Sequence, residues 1–419
     1  MFEYVRSKKC LNIGVLADGF ITWGGGVDLI KSIIRSLESI QNECNISIYL
    51  LVPSGVGYQT RRKLSILRAS FIYSSKNTNF TALKKVAFKM LSPDQTCGLF
   101  DKSKNVNLVA YKYSNKCLLE TAHRLNIDVI IPSIKNLGIN FDIPWVGYIP
   151  DLQHLHLKDN FTDKERDSRD QVFQDMLFSA NVVVVNSQFV KEDLERNYET
   201  DAVEIIALPF SPNPESVWLE CGSEVSESWA CNGNKYFIIS NQFWMHKSHI
   251  TAFKSLNLLL QEGSRNIHIV CTGSPDEYRD AGYYDSVQRE VRNMGMSKNI
   301  HFLGHLDKLE QIGFIKRSVA LIQPTLFEGG PGGGSVYDAL SIGAYVIVSD
   351  ITVNMEIEGE RVIFFKSNSS EDLANKMRDL LEKETVVVDK QKLIHDGYQQ
   401  AEKLGKKVMR AAYQALKYQ

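Results

Sequence analysis

The chain has 419 residues, 44% hydrophobic and 23% charged, with a formal net charge of −1. That length exceeds one ordinary core and predicts two domains of roughly 150–200 residues. The near-neutral total argues against nucleic acid as a partner, and without a run of 18 or more apolar residues no transmembrane helix is expected.

The first ten residues, Met1 to Cys10, run almost directly into a strand and lack the apolar core of a signal peptide, so a cytoplasmic protein is expected. Seven scattered cysteines without metal-type spacing fit reduced thiols. Leu11–Ala17 reads as a buried strand and Val27–Leu37 as a helix, with Gly24, Gly25 and Gly26 as a loop between them. Strand, glycine loop, helix is the opening unit of a Rossmann-like domain, and such a loop exposes backbone N–H groups to an anion. Between Glu43 and Asp94 the chain carries no acidic residue, while basic residues run from Arg61 and Arg62 to Lys89. Two readings stay open for the segment 57–91. It is either a solvated basic face or a surface for anionic lipid headgroups or a phosphate-bearing acceptor, each basic residue then contributing roughly 1 kcal/mol. The interleaved Phe71, Tyr73, Phe80 and Phe88 suit interfacial docking.

Further strand-like runs are expected at Ile46–Val52, Val129–Ile131, Trp145–Ile149 and Val182–Val185. The prolines at 209, 212 and 214 break the rhythm and mark a linker, dividing residues 1–209 from 210–388. In the second half, strands predicted at 236–240, 267–272, 300–303, 319–323, 345–349 and 362–365 alternate with helices at 248–262, 284–294, 307–317, 335–342 and 371–383. This is the pattern of a parallel, doubly wound α/β sheet, so the chain reads as two Rossmann-like domains facing a central cleft. Residues 389–419 form one long helical pattern, expected to pack back on the first domain.

The most informative stretch follows the run ending at Gln323. Glu328 is succeeded by Gly329, Gly330, Pro331, Gly332, Gly333, Gly334 and Ser335, and then a helix begins. Five glycines at a strand–helix junction carry a large backbone entropy cost, which a close anionic ligand explains. No lysine follows the glycines, which excludes a Walker site. Glu328 is placed for sugar hydroxyls rather than for a phosphate, since like charges repel. Asp338 has two readings, a capping-box partner of Ser335 or an acceptor for ribose hydroxyls. A second group, Gln242, Trp244, His246, Lys247 and His249, opens a helix after the strand at 236–240, where Lys247 suits a diphosphate. Gly273 ends the next strand and lets a nucleotide approach the backbone. A third group, Asp151, His154 and His156, follows Trp145–Ile149 and suits acceptor binding or proton handling, with His156 read as structural. No metal-type spacing is present.

These residues resemble the retaining glycosyltransferases of family 4, which have the GT-B fold. The matching signature is Glu328, Gly329–Gly334, Asp338-Ala339 and Gly343. The resemblance implies that Glu328 holds the transferred sugar, Asp338 the ribose and Lys247 the donor phosphate. It places Gly24–Gly26 beside the donor phosphates and Asp151 near the reaction centre. Three departures accompany it: the second carboxylate is Asp and lies two residues further on, Gln242 replaces a customary arginine, and Pro150 a histidine. His246 and His154 are the substitutes within reach. The expected function is metal-independent transfer of a hexose from a GDP- or UDP-sugar to a glycan or lipid-linked saccharide, at the inner face of a membrane and with no cofactor. An O-antigen or capsule intermediate is the expected acceptor. A GT-B epimerase or phosphorylase would use the same residues, the first acting without an acceptor and the second requiring phosphate or pyridoxal. A non-enzymatic sugar-binding protein would be exported.

Overall fold

The structure is a computed structural model that describes residues 10–22, 24–54, 105–208, 211–220, 234–275, 282–383 and 388–417. The basic segment 57–91, with Arg61 and Arg62, lies outside the described residues, as does Pro209 of the linker. The chain forms two compact units, Met1–Ser211 with Tyr398–Gln419, and Pro212–Gly397.

The first unit contains β1 (Leu11–Leu16), α1 (Gly24–Ile40), β2 (Ile46–Ser54), β3 (Val106–Lys112), α2 (Asn115–Arg124), β4 (Val129–Ser133), β5 (Trp145–Tyr148), α3 (Gln153–His156), α4 (Asp163–Ser179), β6 (Val182–Val185), α5 (Gln188–Asn197) and β7 (Glu204–Ala207). Its strands form one parallel sheet in the order β3-β2-β1-β4-β5-β6-β7. Central strands buried on both faces read as unbroken apolar runs. In β6, Val182 and Val184 join the core under α1, while Val183 and Val185 join the core under α4 and α5. The sequence reading missed β3 and β7, the two edge strands. β3 is largely exposed, and β7 has only two fully buried residues, so neither shows a continuous apolar run.

The second unit contains α6 (Ser216–Glu220), β8 (Lys235–Ser240), α7 (His249–Gln261), β9 (Ile267–Thr272), α8 (Tyr283–Asn293), β10 (Ile300–Gly304), α9 (Lys308–Arg317), β11 (Leu321–Gln323), α10 (Gly334–Ser341), β12 (Val346–Ser349), β13 (Val362–Phe365) and α11 (Ser370–Glu382). The parallel order is β10-β9-β8-β11-β12-β13. In both units the chain lays strands on one side of its first strand and then resumes on the other. β1 therefore adjoins β4, and β8 adjoins β11. Such a reversal opens a crevice beyond the carboxyl ends of the two strands, where doubly wound sheets bind ligands. The last helix, α12 (Lys390–Lys417), begins in the second unit, and its residues from Tyr398 onward belong to the first. Leu404, Val408 and Met409 enter the core beneath α1. Among the described residues no helix is long and apolar enough to cross a membrane.

Candidate functional site

The carboxyl ends of β8 and β11 carry the second unit's polar residues. Asn241, just past β8, donates its side-chain amide to Gln323 Oε1 at the end of β11. Gln323 Nε2 in turn donates to Glu328 Oε1 at 3.1 Å and to the Gly332 carbonyl at 2.7 Å. One side chain thus ties the sheet to both ends of the glycine turn. From below, Asn354 Oδ1 accepts the Gly332 N–H at 2.8 Å, and its amide donates to the Ser349 carbonyl at 2.9 Å. Asn241, Gln323 and Asn354 were not singled out from sequence. Asn241 and Gln323 stand at strand ends and Asn354 in the 3-10 turn Thr352–Glu356 after β12, and their partners lie up to 82 residues away.

Lys247 lies in the short 3-10 turn Met245–Lys247 before α7, and its ammonium pairs with Glu328 Oε1. The side chains are only 11% and 12% exposed, so the pair is held in largely dry surroundings. The turn is fastened by the His246 carbonyl, which accepts from Leu326 N at 2.7 Å and from Thr325 Oγ1 at 3.3 Å. The structure therefore brings together two residues 81 positions apart. Lys247 can swing to an anion and Glu328 to hydroxyl donors, each trading one charge-assisted bond for another.

Beside the pair, Gly329 and Gly334 are half-buried, and Gly330, Pro331 and Ser335 are buried. Gly332 and Gly333 have φ of +67° and +71°, the left-handed region that favours glycine. Gly333 is the N-cap of α10, and no side chain closes that helix. Ser248 likewise caps α7 without a side-chain bond to it, whereas α9 and α11 are closed by Asp307 and Ser369. Helix starts without a side-chain cap next to a lysine suit a phosphate group.

Several sequence expectations change here. Ser335 and Asp338 do not form a capping box, because Ser335 lies inside α10 and Gly333 takes the cap position. Asp338 instead pairs with Lys308 at 2.8 Å. Gln242 is exposed, and the buried His246 ring packs against Trp244 at 5.6 Å. His249 turns into the core, stacked on Phe243 at 4.4 Å, and burial pushes its pKa down to about 3. Gly273 is explained by its own sheet, since a Cβ there would lie 2.0 Å from the Asn241 carbonyl oxygen.

In the first unit, Gly24, Gly25 and Gly26 are not a loop but the first turn of α1, since none needs a left-handed φ. A Cβ on Gly24 would meet nothing within 4 Å among the described residues, so internal packing does not demand that glycine. Asp151 accepts the Gln153 N–H at 3.0 Å and pairs with Arg169 at 3.1 Å, a partner missed from sequence. His154 was expected on the acceptor side, but its ring is fully buried between Phe161 and Phe173 and bonded to Asp170 at 2.9 Å. Burial lowers its pKa, the hydrogen bond to Asp170 opposing. A ring enclosed in this way supports the fold and is not open to a substrate. His156 pairs with Asp193 at 2.5 Å. No group of three or more His, Cys, Asp or Glu among the described residues could hold a metal ion.

Residues 224–402 match the family described as glycosyl transferases group 1. A search of curated proteins finds no match. Among solved structures, the chain is similar to Anabaena HepE in complex with UDP and glucose, with a TM-score of 0.57 at 11% identity over 97% of this chain and 99% of that one. It is also similar to sucrose-phosphate synthase from Thermosynechococcus elongatus, with a TM-score of 0.58 at 12% identity over 97% of each chain. The lipopolysaccharide outer core galactosyltransferase WaaB follows at 0.54 and 12%, over 96% and 99%. Identities this low carry the fold alone, and that fold is GT-B. With a glycosyl transferases group 1 domain over residues 224–402 and the GT-B fold along its length, the chain is a glycosyltransferase.

Proposed function

We propose that the protein is a retaining glycosyltransferase that moves a hexose from a nucleotide-diphosphate sugar to a hydroxyl of a glycan acceptor. The observation that carries this reading is the Lys247–Glu328 pair at the crevice between β8 and β11, beside the uncapped start of α10. A nucleoside diphosphate takes Lys247 and the α10 N–H groups, and the attached sugar takes Glu328. Asp338 on α10 and Lys308 at the start of α9 form an ion pair that suits the ribose. HepE, of the same fold, has been captured with UDP and glucose, which supports a nucleotide-sugar donor.

In the reaction, the bond from the anomeric carbon to the phosphate oxygen breaks and a bond to the acceptor oxygen forms on the same face. The acceptor proton passes to the departing phosphate oxygen. Positive charge fixed against that oxygen lowers the barrier because it need not reorganise as the oxygen leaves. A lipid-linked saccharide of a bacterial surface polysaccharide is the acceptor proposed, with the basic segment 57–91 resting on an anionic membrane. Co-sedimentation with anionic vesicles at low salt tests that part.

The central test is Glu328→Ala. Transfer is lost, while calorimetry still registers nucleotide binding. Lys247→Ala weakens nucleotide binding by about 1.5–3 kcal/mol, the scale of a charge-assisted contact. Wild-type turnover in the Glu328 variant overturns the assignment.

A further inference from the structure

The crevice of the first sheet carries a second built group that the donor reading does not use. Asp18 follows β1, Lys135 follows β4 and Tyr113 follows β3, so three chain segments converge beyond the carboxyl ends of that sheet. The Lys135 ammonium bonds both Asp18 Oδ2 and the Tyr113 hydroxyl, and lies 4.3 Å from the centre of the Tyr113 ring. Ser133 Oγ donates to the Lys135 carbonyl at 2.7 Å and holds the turn that presents it. The Asp18 side chain is 8% exposed and that of Lys135 38%, so the group is buried at its base and open at its top. Burial raises the pKa of Asp18, with Lys135 opposing. An ion pair of this depth is a weak source of stability, because desolvation of the carboxylate offsets the attraction.

The arrangement parallels the donor site with the partners exchanged. In the second unit the lysine follows the first strand and the carboxylate follows the strand across the reversal. In the first unit the carboxylate follows β1 and the lysine follows β4. A glycosyltransferase needs a second substrate bearing hydroxyls, and doubly wound sheets bind ligands at this crevice. The charges cancel, which disfavours a phosphate. A carboxylate to accept from hydroxyls, an ammonium to donate, and an aromatic face for C–H groups match a neutral sugar ring.

We propose that Asp18, Lys135 and Tyr113 form a carbohydrate subsite that binds a neutral sugar of the acceptor. The inference rests on the glycosyltransferase reading above. The test is saturation-transfer NMR on the full chain with methyl glycosides of glucose, galactose and mannose, and glucose 6-phosphate as the anionic control. At least one glycoside gives transfer with the wild type, and Lys135→Gln weakens it tenfold or more. Asp18→Asn does the same, and circular dichroism checks that each variant is folded. Affinity for whichever of UDP, GDP or ADP binds the wild type reports on the donor unit and stays unchanged. Glycoside binding unaltered in the Lys135 variant overturns the subsite, as does no glycoside binding at all, or tenfold preference for glucose 6-phosphate. Failure of all three nucleotides to bind the wild type counts against the donor reading instead.

Discussion

Lys247 and Glu328 satisfy each other, so removing one strands the other in largely dry surroundings. Losing one member of a buried pair costs about 3–5 kcal/mol, whereas replacing both with neutral groups costs far less. The expected result is that the Lys247→Met, Glu328→Gln double variant is more stable than the sum of the single losses predicts, by about 1–3 kcal/mol in a denaturant cycle. Strict additivity would break the pairing. Two histidines set a pH dependence. Burial, assisted by the charge of Lys247, holds His249 down to about 3, and burial, assisted by His268, holds His301 down to about 4. Between those values and the unfolded value near 6.5, the unfolded chain binds protons that the folded chain does not. Stability is therefore complete above that upper value and is lost as pH falls through the window. The urea midpoint is expected to drop from pH 7 to pH 5, and His249→Leu to shrink the drop. An identical drop in that variant removes His249 as a cause.

Within the glycine turn, neighbouring glycines serve different ends. A Cβ on Gly332 would sit 2.7 Å from the Val336 Cβ, and its N–H is held by Asn354 at 2.8 Å. A Cβ on Gly333 would meet Gln323 at 3.4 Å and Glu328 at 3.5 Å, close to ordinary contact. Both have a left-handed φ, which costs an L side chain roughly 1–2 kcal/mol. Gly333→Ala should pay only that, while Gly332→Ala adds a clash with the branch of Val336 and shifts α10. Melting of the two variants should place Gly332→Ala lower, with the weaker nucleotide affinity. Equal losses would show the turn to be looser than its hydrogen bonds imply.

Across the molecule, the end of the chain completes the first core. Gly405 lies so close to α1 that a Cβ would be 2.2 Å from the Ser36 carbonyl oxygen. Leu404, Val408 and Met409 are each no more than 4% exposed. At about 1.5–3 kcal/mol per buried side chain, these three contribute roughly 5–9 kcal/mol. That is comparable to the whole stability of an ordinary domain. A chain ended at Gly397 is expected to lose the first unit, seen as loss of its melting transition and gain of dye-accessible apolar surface. A truncated chain that melts like the full one would refute this.

The sequence alone determined what depends on short-range periodicity and composition. Buried runs such as Val182–Val185 read as strands because both faces are apolar, and the glycines after Glu328 read as a tight turn between a strand and a helix because so many of them interrupt any regular element. Edge strands β3 and β7 escaped it, having too few buried residues to show a continuous run. Only the tertiary structure decided which charges meet. Lys247 finds Glu328, Asp338 finds Lys308 rather than Ser335, and His154 sinks between Phe161 and Phe173. These outcomes depend on the order in which strands cross and on where each side chain points once the sheet is closed. Neither is encoded in the spacing of residues along the chain.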